Sequence, residues 1–379
     1  MEQVSENKIK FVDALRGIAI LGVLIIHCGQ MGTNSFPRLI QNIIINGAIG
    51  VQLFFVASAF TIFLTYRNRY DKEQNPVTNF LIRRFFRIGP MYYLGIIYFL
   101  WQEGFGGRYW LADAHYVSMW NILSNFLFVH SLYPYWITSV VPGGWSIAVE
   151  VCFYCLVPML FLRIRNLNQA FVLFLGTIVL RMILQLSLQQ ILPIGSERLW
   201  GEYLFFYPPN QFPVFACGII LYYLVYTPPA DWHVEPAILF VFCLLILTQL
   251  LTHTAFIFPT HIQFAMAFAV LGYVLSRKPF TILVNPITVF IGKISYSMYL
   301  VHFALMHWFS KLGYIDFASP GIQHYYLVNY LLRLGCLLLF TVLVSCFTYY
   351  IIEVPFQNMG KRIVRRREMT QVKSFGLAS

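Results

Sequence analysis

The chain has 379 residues, of which 59% are hydrophobic and only 11% are charged, and this composition excludes an ordinary soluble domain. Its formal net charge of +11 is explained by basic residues beside apolar segments, so it indicates no nucleic-acid partner. The seven cysteines, an odd number, lie in or beside apolar segments, which argues against a disulfide framework. Cys152 and Cys155 form a CxxC pair, but thiols within a span are typical core residues, so we expect no metal site.

Apolar runs recur along the chain, each near the length of about twenty residues that a helix needs to cross a bilayer. They predict an all-α fold, a polytopic transmembrane bundle of about ten spanning helices. The predicted spans are 11–29, 47–65, 88–102, 145–162, 169–187, 211–226, 236–252, 260–276, 287–308 and 325–352. The topology of residues 227–276 stays open, because the loop 227–236 has no Lys or Arg to orient it.

Most lysines and arginines that flank these spans fall on the same side as the N-terminus, so the positive-inside rule predicts that both termini are cytoplasmic. The predicted organisation is a cytoplasmic N-terminus at 1–10, a transmembrane domain at 11–352 and a basic cytoplasmic tail at 353–379. We expect the tail to contact anionic membrane lipids.

Arg16 and His27 lie in the first predicted span, eleven positions apart, which places them near the same face of a helix. An ionisable side chain in hydrocarbon costs roughly 2.5 to 3.5 kcal/mol on insertion scales, so both residues are candidates for a functional site. Asp13, three residues before Arg16, is a candidate ion-pair partner that would hold Arg16 in place.

Arg84 and Arg87 open the third predicted span and lie one helical turn apart on a shared face. Arginines in this arrangement can bind phosphates through their planar donor groups, so an anionic cytosolic ligand would meet them first. An ordinary basic flank of a membrane span is the alternative interpretation.

Glu150 lies about one and a half turns inside the fourth predicted span, at a depth similar to that predicted for His27. A carboxylate beside an imidazole orients the ring and favours its protonated form, an arrangement suited to general-base catalysis on a hydroxyl. A structural salt bridge between two helices is the alternative.

Other polar residues of the spans are weaker signals. Ser295, Tyr299 and His302 share a face of the ninth predicted span, where a histidine is more often a hydrogen-bonded core residue than a catalyst. Arg181 and Arg333 lie deeper in their spans and are candidates for the lining of a polar pathway.

Five segments taken in order resemble the acyltransferase-3 family of integral membrane acyltransferases. They are Phe11–His27, Arg84–Arg87 as an Arg-x-x-Arg motif, Gly144–Tyr154, Ile291–His302 and Glu353–Phe356. A further segment, Leu53–Phe60, matches a family pattern that usually reads Ser-Gly-Phe. Here Ser58 is kept but Ala59 replaces the glycine, so the residue that would allow a close backbone approach at this turn is missing.

The resemblance implies an enzyme of the bacterial inner membrane that transfers an acyl group, usually acetyl, from cytosolic acyl-CoA to a hydroxyl of a glycan. It implies that Arg16, Arg84 and Arg87 bind the acetyl-CoA co-substrate. It also implies that His27 and Glu150 are catalytic, with direct transfer and an acyl-enzyme route both open. Further candidates for an oxyanion or acceptor site are Ser58, Trp145, Ser146, Tyr299 and His302.

The expected acceptor is a cell-surface or exported glycan or its lipid-linked unit, such as O-antigen, exopolysaccharide or peptidoglycan. The acyl group, the hydroxyl and the oligomeric state stay open. Some family members carry an extracytoplasmic hydrolase-like domain, and if this enzyme needs one, a separate partner must supply it. The alternatives are a secondary transporter or flippase, and an acyl exporter that feeds a separate transferase.

Overall fold

A computed structural model describes most of the chain, and it is helical. The described residues are 7–32, 35–107, 115–191, 196–227, 258–314, 316–317 and 325–376, with 240, 244 and 247. Within them the β-type pairing is one isolated bridge between Gly106 and Tyr116. The predicted all-α class is confirmed.

The helices of the first half of the chain are α1 (Asn7–Gly29), α2 (Arg38–Asn46), α3 (Gly50–Tyr70), α4 (Pro76–Glu103), α5 (Met119–Phe126), α6 (Gly144–Arg163) and α7 (Leu167–Ile191). Those of the second half are α8 (Glu197–Phe206), α9 (Pro208–Tyr226), α10 (Thr260–Arg277), α11 (Pro286–Lys293), α12 (Ser295–Lys311), α13 (Tyr325–Thr348) and α14 (Val354–Gly376).

Several of these helices are suited to cross a membrane. Six helical segments of the described chain are long and apolar enough, and α11 with α12 would make a seventh. The last two form one predicted span, 287–308, but the structure bends it by 73° between Lys293 and Ser295. The predicted span 236–252 lies outside the described residues. A membrane-spanning helical fold is therefore confirmed, whereas the number of spans and the side of the termini stay predictions.

The chain forms two compact units. The first unit contains the residues up to Phe60 together with Val214–Cys346, and the second contains Thr61–Pro213 together with the residues from Phe347 onward. His27 belongs to the first unit, whereas Arg84 and Glu150 belong to the second.

The first unit is built around a close contact between α1 and α11. A Cβ atom added to Gly17 would overlap the carbonyl oxygen of Thr288, and one added to Gly292 would overlap that of Asp13. Asn285 caps α11 by accepting hydrogen bonds from backbone N–H groups of its first turn. Glycines let the two backbones approach as in other membrane helix pairs, and this contact fixes the position of α1.

A second close contact in the first unit joins α3 to α9. A Cβ atom added to Gly218 of α9 would lie 2.5 Å from the Val56 carbonyl oxygen and 2.6 Å from the Cβ of Ala59. Ala59 does not prevent a close approach at this turn, because the facing helix supplies the glycine. Ser58 is buried in the same turn of α3.

In the second unit, buried polar side chains hold the start of α6. The Tyr92 hydroxyl donates a hydrogen bond to Asn125 Oδ1 at 3.0 Å, and His130 Nε2 donates to the Gly144 carbonyl at 3.0 Å. Gly143, the residue before α6, has φ of 71°, a conformation that favours glycine. These contacts fix the start of α6 and its direction, and therefore also the position of Glu150 on it.

The C-terminal segment of the second unit continues as a helix. A π-helical turn, Tyr349–Glu353, leads into α14, which packs along α4. Glu368 of α14 accepts hydrogen bonds from Asn79 Nδ2 at 2.6 Å and from the Gln74 backbone N–H at 3.0 Å. The segment predicted as a basic tail is thus a helix that packs on protein as far as its side chains are described.

Candidate active site

The second unit contains a cavity of about 160 Å³ lined by basic side chains. We call it the arginine cavity; its basic residues are Arg69, Arg83, Arg84, Arg87 and Lys361. They come from the end of α3, the start of α4 and the first turns of α14. Pockets that hold whole small molecules have volumes from about 300 Å³ upward, and this cavity has about half that volume. It therefore suits one anionic group of a larger ligand.

Ion pairs and aromatic rings orient the arginines of this cavity. Arg83 Nη2 pairs with Glu73 Oε2 at 2.8 Å. Arg84 Nη2 donates to Thr65 Oγ1 at 3.2 Å, and its guanidinium carbon lies 5.4 Å from the centre of the Phe80 ring. A guanidinium held between ring and hydroxyl is pre-organised for hydrogen bonding through its edge.

Tyr154 links the arginine cavity to Glu150 within the second unit. The Arg84 guanidinium carbon lies 5.6 Å from the centre of the Tyr154 ring, and Arg87 is a further electrostatic neighbour of the Tyr154 hydroxyl. That hydroxyl shares a hydrogen bond with Glu150, one turn earlier on α6. The sequence analysis missed Tyr154, although its spacing of four from Glu150 on a predicted helix was the available signal.

Trp145 and Ser146 lie beside Glu150 but are engaged with protein. Trp145 is buried, and its ring centre lies 4.4 Å from that of Phe206. The Ser146 hydroxyl donates to the Gly143 carbonyl at 2.9 Å. Their predicted role at an oxyanion or acceptor site stays a prediction.

In the first unit, Gln30 holds the ring of His27. Nδ1 of His27 lies 2.8 Å from Oε1 of Gln30, one turn later in the chain. Because an amide oxygen accepts, Nδ1 carries the proton and Nε2 carries the lone pair, the form required of a base. The sequence analysis missed Gln30, whose spacing of three from His27 at the end of a span was the available signal.

A second histidine lies against the first. The ring centres of His27 and His302 are 5.3 Å apart. The Phe303 ring centre lies 4.7 Å from that of His27, and the Tyr299 ring centre lies 5.9 Å from that of His302. We call these four residues with Gln30 the histidine cluster. The predicted shared face of α12 therefore points Tyr299 and His302 toward His27.

His302 is held as a neutral hydrogen-bond acceptor. It is fully buried, and its Nδ1 donates to the Met298 carbonyl at 3.0 Å. Nε2 therefore carries a lone pair, and it has no hydrogen-bond partner within the described part of the chain. A neutral ring in this form accepts a proton or a hydrogen bond but donates none at Nε2, so His302 suits an acceptor hydroxyl better than an oxyanion.

Arg16 and Ser58 occupy other parts of the first unit. Arg16 Nη1 lies 3.3 Å from Asp13 Oδ1, which confirms their predicted pairing. Ser58 is one helical turn beyond Phe54, whose ring centre lies 6.3 Å from that of Tyr299. Contact of Arg16 with a co-substrate and of Ser58 with an oxyanion stay predictions.

Arg333 holds the end of α1 that carries His27. It is fully buried and donates from Nη1 to the carbonyl oxygens of Cys28 and Met31. Its Nη2 pairs with Asp316 Oδ1 at 3.1 Å. The sequence made Arg333 a candidate for the lining of a polar pathway, which stays a prediction. In the structure it donates to carbonyl groups that the end of a helix leaves without intrahelical partners.

The structure thus brings Arg84 and Arg87 together in one unit and His27, Tyr299 and His302 together in the other. The predicted pairing of His27 with Glu150 joins residues of the two units and stays a prediction. In the described part of the chain, no group of three or more His, Cys, Asp or Glu side chains is arranged to hold a metal ion.

The chain is similar to known acyltransferases along nearly its whole length. The sequence profile of the acyltransferase-3 family, described as an acyltransferase domain, matches residues 9–350. A protein of Staphylococcus aureus strain COL, provisionally named an O-acetyltransferase, is 24% identical over 392 residues, covering 94% of this chain and 58% of that protein. The chain therefore spans less than two thirds of this relative.

Two other relatives cover different shares. A protein of Acidianus two-tailed virus, provisionally named an acetyltransferase, is 25% identical over 304 residues, covering 79% of this chain and 84% of that protein. The peptidoglycan O-acetyltransferase OatA of Listeria monocytogenes is 27% identical over 166 residues, covering 41% of this chain and 24% of OatA. No solved structure gives a significant match.

Proposed function

Because the chain belongs to the acyltransferase-3 family, we propose that it transfers an acetyl group from acetyl-CoA to a hydroxyl of a glycan. The relatives named as O-acetyltransferases support acetyl as the group and oxygen as the acceptor atom. We place the enzyme in a bacterial cytoplasmic membrane, with its substrates reached from both faces.

The arginine cavity supports an anionic donor. Four arginines and a lysine converge on it, and Arg83 forms an ion pair with Glu73. Arg84 and Arg87 present planar donor groups that match phosphate oxygens, and Lys361 adds a point charge. Coenzyme A carries several phosphates, so one phosphate in a cavity of about 160 Å³ would anchor the donor.

The histidine cluster supports the proton transfer. Nε2 of His27 takes the proton of the acceptor hydroxyl, whose oxygen attacks the thioester carbonyl. The carbon–sulfur bond breaks, and the imidazolium returns its proton to the sulfur of coenzyme A. Gln30 keeps the ring in the required tautomer, and Glu150 is proposed to stabilise the imidazolium.

The observation that carries this proposal is the 2.8 Å contact between His27 Nδ1 and Gln30 Oε1, from which we infer that Nε2 is the basic nitrogen. The test compares a deletion strain with its parent by the mass of their glycans, and then restores the gene as wild type or as His27→Ala. We expect one acetyl group per modified unit to vanish on deletion and to return only with the wild type.

Purified wild-type protein in lipid vesicles, supplied with radiolabelled acetyl-CoA and lipid extract of the deletion strain, completes the test. Transfer of label by this single component supports the proposal. Consumption of acetyl-CoA without a labelled glycan indicates an exporter that needs a partner. Unchanged glycan masses together with no consumption of acetyl-CoA would overturn the proposal.

A further inference from the structure

Helix α7 of the second unit carries a charged residue in an otherwise apolar surface. Its apolar stretch within Leu167–Leu188 is 6% buried, and Arg181 is the one charged residue of that stretch. The neighbours of Arg181 on either side, Leu180 and Met182, are exposed at 43% and 54%. A helix with such a surface is suited to contact with lipid chains, so Arg181 lies beside the hydrocarbon.

Contacts with α9 orient the guanidinium of Arg181. Its Nε donates a hydrogen bond to Oδ1 of Asn210, in the first turn of α9. Asn210 is buried, and its Nδ2 donates to the Phe205 carbonyl at 2.7 Å. The Tyr207 hydroxyl donates to the Arg181 carbonyl at 3.3 Å. These contacts hold the guanidinium by one of its three nitrogen atoms.

The two Nη groups of Arg181 have no partner among the described residues. No acidic side chain in the described part of the chain forms an ion pair with Arg181, and its side chain donates its one hydrogen bond there from Nε. Neither Nη atom is enclosed by protein, so both reach the surface. A guanidinium held at Nε presents Nη1 and Nη2 side by side, the arrangement that binds two oxygens of one phosphate.

The predicted topology places Arg181 near the outer face of the membrane. Helix α7 follows Arg163 and Arg165, which the positive-inside rule assigns to the cytoplasm. From Leu167 to Arg181 the helix rises roughly 21 Å, whereas the hydrocarbon layer is about 30 Å thick. A long arginine side chain reaches the polar boundary from that depth. The phosphates of the outer leaflet are therefore the anions within its reach.

We propose that Arg181 binds the phosphate of an outer-leaflet phospholipid through Nη1 and Nη2. The phosphate supplies the negative charge that an arginine beside hydrocarbon requires and that the described part of the protein does not provide. The acyl chains run toward the membrane centre along the apolar surface of α7. A phospholipid fits better than a free anion, because apolar residues flank the guanidinium. This inference is independent of acetyl transfer and adds a lipid site to the second unit.

The test uses a photoactivatable phosphatidylglycerol with its reactive group near the headgroup. Purified protein in maltoside micelles is irradiated with this lipid below saturation, and the labelled residues are mapped by mass spectrometry. Arg181→Gln and Arg181→Met are the neutral variants, and an apolar Met is compatible with a lipid-facing helix. Arg198→Gln is the matched control, since Arg198 of α8 pairs with Glu202 at 3.3 Å and so has a partner in the protein.

We expect label on α7 and on the first turn of α9 in the wild type. Both neutral variants should carry at least about tenfold less label there, because a bidentate charged pair is lost. Arg198→Gln should be labelled as the wild type is. A wild-type level of label on α7 in a neutral variant whose helix content matches that of the wild type would overturn the inference. Absence of label from α7 of the wild type would do the same.

Two further probes of the wild type identify what the site recognises. A photoactivatable diacylglycerol with the same acyl chains lacks the phosphate and should label α7 at least about tenfold less. Equal labelling by the diacylglycerol would show simple contact with lipid chains and would overturn the inference. A large excess of inorganic phosphate should leave the label of phosphatidylglycerol unchanged. Loss of that label would assign the site to a free anion and overturn the lipid as its occupant.

Discussion

The arginine cavity and the histidine cluster differ in charge and in what that charge can do. The arginine cavity has five basic side chains around a small opening. Their summed charge attracts an anionic ligand before the ligand makes contact. The histidine cluster holds two imidazoles among aromatic rings, each with a proton on Nδ1, so it is arranged to exchange protons. Binding and chemistry should therefore respond to different substitutions.

The largest effect is expected from His27→Ala. Loss of a general base costs about 100- to 10,000-fold in rate, so acetyl transfer at saturating substrates should fall by at least about 100-fold. Acetyl-CoA affinity should not change, and radiolabel transfer and binding in membranes measure both. His307→Ala is the control, since its ring lies against Trp308 on the same helix as His302. Transfer above a tenth of wild type would refute the role.

The second largest effect is expected in the arginine cavity. Arg84→Gln with Arg87→Gln should raise the KM for acetyl-CoA at least about tenfold, because a hydrogen bond to a charged group contributes about 1.5 to 3 kcal/mol. The kcat at saturating donor should stay within about threefold. Arg165→Gln, at an exposed position between α6 and α7, is the control. A fall in kcat with an unchanged KM would contradict the assignment of donor binding.

Arg333→Met tests how the histidine cluster is held in place. Two buried carbonyl groups would lose their donor, at about 1 to 3 kcal/mol each, so thermal unfolding of the purified protein should occur at lower temperature. Transfer should fall less than in His27→Ala, with an unchanged KM for acetyl-CoA. Asp316→Asn should have a smaller effect, because Asp316 is half exposed and Arg333 keeps its contacts with α1. Equal stability of Arg333→Met and wild type would show that Arg333 does not hold the end of α1 in place.

The smallest effect is expected from Glu368→Gln. The change weakens two hydrogen bonds that hold α14 against α4, and Lys361 of α14 lines the arginine cavity. We expect faster amide exchange in α14 and a change of about twofold or less in the KM for acetyl-CoA. Exchange measured by mass spectrometry checks the first expectation. Exchange in α14 as slow as in the wild type would contradict it.

The sequence predicted what local patterns encode. Helices such as α1 and α6 follow from the length of their apolar runs, and the shared position of Arg84 and Arg87 follows from helical periodicity. The sequence analysis did not predict the 73° bend between α11 and α12, because the apolar run 287–308 continues through it. Gly17 and Gly292 hold α11 against α1 just before this bend, and that contact joins segments far apart in the chain.

Contacts between distant segments could not be predicted. Arg69 and Lys361 reach the arginine cavity from α3 and α14. The periodicity of a helix predicts which residues share a face, but it does not predict which other helix that face packs against. His302 and Tyr299 share a predicted face, but their approach to His27 depends on how α12 leaves the bend. The sequence therefore indicated His27, Arg84 and Arg87 one by one, whereas their partners Gln30, Arg69 and Lys361 required the three-dimensional fold.

The close contact of Gly17 with α11 has a consequence for biosynthesis. Its partner α11 begins only at Pro286 of the 379 residues, so α1 enters the membrane long before α11 exists. The stretch Thr61–Pro213 of the second unit is continuous and can associate earlier. Closing the first unit requires contacts of high sequence separation, which form slowly. The nascent protein therefore acquires its arginine cavity helices α3 and α4 first, and it completes the surroundings of His27 only near the end of translation.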